Sequence, residues 1–63
     1  MSLVLKKNEN ETWLQAALRY ASKYGMEKDI QKYYDMYIKQ GESEADAAYG
    51  ACEEWDILDY VED

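Results

Sequence analysis

Histidine and proline are absent from the 63 residues, and there is one cysteine. Without histidine, no side chain has an ordinary pKa near neutrality, so the usual general base is missing. One cysteine cannot close an internal disulfide, and one thiol without imidazole almost excludes a structural zinc site. Gly25, Gly41 and Gly50 stand alone, so no glycine-rich loop is present to cradle phosphate. No segment alternates apolar and polar residues with period two, which argues against strands. Leu3-Val4-Leu5 is too short for a signal-peptide core or a membrane span. Met1-Ser2-Leu3 also fits an expression leader and carries no functional weight. These absences predict a soluble, cytoplasmic, non-enzymatic protein with a reduced thiol, no cofactor, no bound metal and no membrane partner.

One sign of charge is missing from the last third. The chain carries 7 Lys/Arg and 14 Asp/Glu, a net of −7. Residues 1–41 hold all 7 bases and 5 acids, for +2, whereas residues 42–63 hold 9 acids and no base, for −9. A duplex-binding protein brings surplus Lys/Arg to the phosphates. This chain would repel DNA over a third of its length, so direct nucleic-acid binding is not expected. The plain reading of the acids is solubility.

What is there is aromatic and helical. Nine aromatic residues, seven of them tyrosine, are generous for a domain that buries only about 60% of its unfolded surface. With no disulfide or metal to staple it, such a chain needs tight packing or self-association.

Taken in order, residues 1–9 read as a short arm, extended or loose, ahead of a single three-helix domain over 10–63. Thr12 and Gln15 have capping-box spacing, and Asn8 or Asn10 are alternative caps, so the first helix starts near Asn10 to Thr12. Trp13, Leu14, Ala17, Leu18, Ala21 and Tyr24 form its apolar face, and Gly25 suits its exit. The second helix runs from about Glu27 to Gln40. Glu27 and Asp29 suit its positive end and Lys39 its negative end. Lys28, Lys32 and Lys39 line its far side, interrupted by Asp35 and Met36. Gly41 ends it.

Ser43 and Asp46 mark the start of a third helix, predicted to run to Val61. Ala47, Ala48, Ala51, Cys52, Trp55 and Leu58 form its seam, with Trp55 supplying the bulk. Gly50 costs up to about 1 kcal/mol against alanine in mid-helix, which calls for a close neighbour there. The short links at Gly25 and Gly41-Glu42 set the helices side by side. The predicted fold is therefore all-α, a compact three-helix bundle. Its predicted core is Trp13, Leu14, Ala17, Leu18, Ala21 and Ile30, with Tyr34, Tyr37, Ala48, Ala51, Cys52, Trp55 and Leu58.

Catalytic constellations are not evident. Ser2, Ser22 and Ser43 lie in the arm, in mid-helix and at a cap, and a buried Cys52 without a neighbouring cation is inert packing. Glu53, Asp56 and Asp59 are three apart, but a straight helix spreads carboxylates instead of wrapping an ion. A helix-turn-helix layout around Gly41 would make the acidic helix the reader of DNA, and electrostatics forbids that.

Surplus apolar surface is the remaining signal. Glu53, Ile57, Tyr60 and Val61 fall on the outer side of the predicted third helix, with Tyr33 and Met36 behind them as further contact candidates. Tyrosine is enriched at interfaces, although small domains expose some apolar residues in any case. Two functions follow. One is a protein-interaction or accessory module, self-associating as a homodimer or meeting a basic protein partner. The alternative is an acidic DNA mimic that occupies the basic cleft of a nucleic-acid-handling protein.

Two stretches carry a resemblance. Trp13-Leu14 through Ala17-Leu18, Tyr20-Ala21 and Lys23-Tyr24-Gly25, together with Glu54-Trp55-Asp56-Ile57-Leu58, resemble small acidic helical proteins of bacteriophage and bacterial genomes. The likeness covers most of residues 12–58. It implies a phage or mobile-element accessory protein and, since those proteins are uncharacterised, transfers no site residues.

Overall fold

The computed structural model describes residues 2–61. Met1 of the arm, and residues 62–63 of the acidic tail, lie outside the described residues. Three helices pack against one another: α1 (Trp13–Ser22), α2 (Glu27–Lys39) and α3 (Glu44–Glu54). Two short strands, β1 (Ser2–Val4) and β2 (Asp59–Val61), pair antiparallel, with Leu3 opposite Tyr60 and Val4 opposite Asp59. The molecule is a small three-helix bundle whose first and last described segments are paired. Among the described residues, no helix is long and apolar enough to cross a membrane.

Helix starts follow local chemistry. Gln15 N–H donates to Thr12 Oγ1 at 3.1 Å, and Thr12 N–H donates to Gln15 Oε1 at 2.8 Å, completing the capping box of α1. At α3, Asp46 N–H donates to Ser43 Oγ at 3.2 Å. Met26 gives α2 no side-chain cap, so Glu27 and Asp29 in the first turn provide its stabilising charge.

The helix ends share one device. Beyond each, a residue enters the left-handed region and the next N–H reaches back to a carbonyl five residues earlier. Met26 closes on Ala21 at 3.1 Å around Gly25, and Glu42 closes on Tyr37 at 3.1 Å around Gly41. At α3 the same closure joins Ile57 to Cys52 at 3.2 Å, but the left-handed residue is Asp56, at φ 54°.

That closure corrects the predicted third helix, which stops at Glu54 instead of Val61. Aspartate in the left-handed region costs about 1–2 kcal/mol. Burying an isoleucine gains roughly 1.5–3 kcal/mol, and the turn buries two side chains: Ile57 and Leu58 are each only 6% exposed. Burial wins, and residues 59–61 are left extended to meet β1.

Trp55 is corrected too. It is the C-cap of α3 and 36% exposed, not the buried anchor of the seam. Among the other predicted core residues, Ala17, Ala21, Ile30, Ala48, Ala51, Cys52 and Leu58 are buried, whereas Trp13, Leu14, Leu18, Tyr34 and Tyr37 are half-buried. The structure adds Leu5, Ala16, Tyr20, Ala47 and Ile57. Alanine makes up half of this core, so the helices meet at close range and small gaps matter.

The arm is not loose. Leu5 is 2% exposed and ranks among the largest fully buried side chains. Lys6 N–H donates to Tyr20 Oη at 3.0 Å, and Arg19 Nη2 donates to the Lys6 carbonyl at 2.6 Å. Arg19 also pairs with Glu11 at 3.0 Å, and Asn8 N–H donates to the same carboxylate at 2.9 Å. The arm is therefore stitched along α1.

Gly50 has its explanation in α2. A Cβ there would stand 3.0 Å from Cε2 of Tyr37. Gly50→Val is expected to destabilise the domain by about 1–3 kcal/mol through overpacking. An unchanged urea midpoint would show that the Tyr37 ring moves freely away.

Candidate functional site

The outer face of α2 carries part of the apolar surface that remains after folding, the exposed large side chains being Tyr24, Met36, Ile38, Trp55, Tyr60 and Val61. Tyr33, Met36 and Gln40 recur at three- and four-residue spacing and so share one strip of the helix. The strip borders a shallow concavity lined by Lys32, Tyr33, Asp35, Met36, Lys39 and Gln40. Met36 is 40% exposed, and the Tyr33 ring meets Trp55 edge-on at 5.8 Å between centroids. The helix end at Glu54 therefore does more than bury Ile57. It leaves the Trp55 ring at the surface, where it widens the α2 strip.

Lys32 and Lys39 line the same concavity as Tyr33 and Met36. Tyr37, on the side of α2 that meets α3, leans over Gly50, and Glu53 and Glu54 form the last turn of α3. Burial pushes the Tyr37 phenol above its ordinary value, with the Glu54, Glu42 and Glu53 carboxylates adding to the rise. Asp35 breaks the lysine row and accepts a bond from Gln31 Nε2 at 2.9 Å.

The sequence candidates divide accordingly. Tyr33 and Met36 lie together in the strip, and Glu53 is exposed in the last turn of α3. Ile57 is withdrawn, because the turn at Asp56 rotates it into the core. Tyr60, 60% exposed, and Val61 sit on β2 and not on a helical face shared with Glu53. Tyr60 Oη donates to Asp56 Oδ1 at 3.1 Å, which holds the ring back along the chain.

Sequence reasoning misses Tyr20 altogether. Its hydroxyl accepts from Lys6 N–H and donates to Asp59 Oδ2 at 2.7 Å, so one phenol ties α1 to both terminal segments. The helical spacing places Tyr20 beside Trp13 and Ala17, so periodicity already carried it as a core position. Burial, reinforced by the Asp59 bond, pushes this phenol above its ordinary value.

Cys52 is buried, and burial raises its thiol from 9.0 to about 11. A neutral, enclosed thiol is a poor nucleophile. Both shifts favour the protonated form in the fold. Their stability contribution is complete below the unfolded values, 9.0 for the thiol and 10.0 for the phenol, and is lost as pH rises through the folded ones. Stability is therefore expected to fall from about pH 9 upward, and Cys52→Ala to flatten the fall between pH 9 and 11. Identical slopes in urea titrations of both proteins would contradict this assignment.

Among the described residues, no three Cys, Asp or Glu side chains converge where a metal ion could sit. No protein-family profile matches the chain, and comparison with curated proteins and with solved structures finds no match to it.

Proposed function

We propose that this protein is a non-enzymatic interaction module that docks a protein partner on the α2 strip. The observation that carries the reading is the cluster of half-buried Tyr33 with exposed Met36 and Trp55, large side chains gathered at one surface of a domain whose core is half alanine. Aromatic and methionine side chains grouped in this way are typical of interface centres, where they supply most of the binding energy. Lys32, Asp35, Lys39 and Gln40 beside them resemble the polar rim of an interface.

The acidic tail also suggests mimicry of nucleic acid, but two of its carboxylates are committed within the fold. Asp59 accepts from Tyr20 and Asp56 from Tyr60, so both are tied to neighbouring phenols. Interaction through the strip is the better-supported reading.

Affinity capture with wild-type protein and with Met36→Asp tests it. Partners identified by mass spectrometry should be retained by the wild type and lost by the variant, at equal thermal stability. Identical partner sets for the two proteins would reject the strip as a docking surface.

A further inference from the structure

The charged side chains beside Met36 specify the chemistry of the partner, a deduction that rests on the docking reading above. Lys32 and Lys39 line the concavity together with Tyr33 and Met36. Both lysines are exposed, and among the described residues neither meets a carboxylate or any other hydrogen-bond acceptor. Of the lining residues only Asp35 carries a carboxylate, and it accepts from Gln31 Nε2 at 2.9 Å. A partner that covers Met36 and Tyr33 takes the two ammonium groups out of water with them. Desolvating an ammonium without an acceptor is costly, and meeting it with a like charge is worse. The occupant therefore has to bring carboxylates to the lysines along with apolar side chains for the strip.

Helix geometry sets the spacing. At about 100° and 1.5 Å per residue, Lys32 and Lys39 fall within about 20° of one line along α2 and roughly 10.5 Å apart, with Met36 between them and to one side. A partner helix repeats that distance between residues i and i+7, and its i+3 and i+4 positions then face Met36. On an extended strand the same-face spacings are about 7 and 13 Å, so a helix matches the lysines better. We infer that the strip receives an acidic amphipathic helix of another protein, with carboxylates seven residues apart on Lys32 and Lys39 and apolar side chains between them on Met36 and Tyr33. The net charge of −7 opposes an acidic partner at long range. At physiological salt that field is screened beyond about 8 Å, so the pairs formed at contact decide the affinity.

Two synthetic probes test the inference. They are monomeric helical peptides of ~20 residues with the same leucine face, flanked at seven-residue spacing by glutamate in one and by lysine in the other. In a chemical-shift titration the glutamate peptide should perturb residues 32–40 and the Trp55 indole, and bind at least about tenfold more tightly than the lysine peptide. Lys32→Glu/Lys39→Glu should reverse that preference, a result that a misfolded variant cannot produce. Equal binding of the two peptides, a preference of the wild type for the lysine peptide, or no binding of either would overturn the inference. If neither binds and sedimentation shows a dimer, the strip belongs to a second copy of the chain instead. None of these results decides the docking reading, which stands or falls on whether captured partners depend on Met36.

Discussion

Replacing Leu5 by alanine is expected to remove about 2–5 kcal/mol, the usual range for deleting a fully buried leucine side chain. At roughly 0.05–0.15 kcal/mol per residue, a domain of this size has only about 3–9 kcal/mol in total. A residue in the apparent tail of the chain would then decide whether the domain is folded at 25 °C. The reason is the composition of the core. Leu5, Ile30 and Cys52 are its largest fully buried side chains, and the alanines around them cannot lean into a vacated space. Leu3→Ala, at a half-buried position, should cost clearly less. Urea denaturation checks both. A Leu5→Ala midpoint close to wild type would show that the arm does not belong to the core.

Tyr20→Ala is expected to cost about 3–5 kcal/mol, in line with the removal of other buried aromatic rings. Tyr20→Phe separates packing from hydrogen bonding. It keeps the ring but leaves Lys6 N–H and the Asp59 carboxylate without the phenol, at about 1–3 kcal/mol. Asp59→Asn on its own and combined with Tyr20→Phe completes a cycle, and the coupling should exceed about 0.5 kcal/mol. Strict additivity would mean that the 2.7 Å bond between residues 39 apart contributes nothing in solution.

What the sequence made readable was local. Thr12 with Gln15, Ser43 with Asp46, and the two exit glycines mark helix ends through neighbouring residues, and the structure has those ends within a residue or two of the expected places. The end of α3 was hidden for two reasons. Its left-handed residue is Asp56 and not glycine, and Trp55 and Leu58 continue the 3.6-residue spacing of the seam although the helix has stopped. The strands were hidden for another reason. Three residues cannot display an alternating pattern, and Ser2 finds its partner at Val61, across nearly the whole chain. Distance in sequence is also why the two hydrogen bonds of Tyr20 escaped notice, since both partners belong to the terminal segments.

The candidate surface was half legible. Tyr33 and Met36 exceed what one buried face of α2 requires, and that excess is visible in the spacing alone. The place of Trp55 beside Tyr33 was not, because it depends on where α3 ends. Ile57 was assigned outward by the same extrapolated helix and proved to be core. One turn at Asp56 thus exchanges two side chains: it buries the isoleucine and brings the indole to the surface.

Nuclear magnetic resonance tests that exchange directly in the free protein. Backbone carbon shifts should lose helical character after Glu54 and become extended at residues 59–61, with cross-strand contacts between Leu3 and Tyr60. Uninterrupted helical shifts from Ser43 to Val61, without those contacts, would contradict the closed bundle and remove Trp55 from the α2 strip.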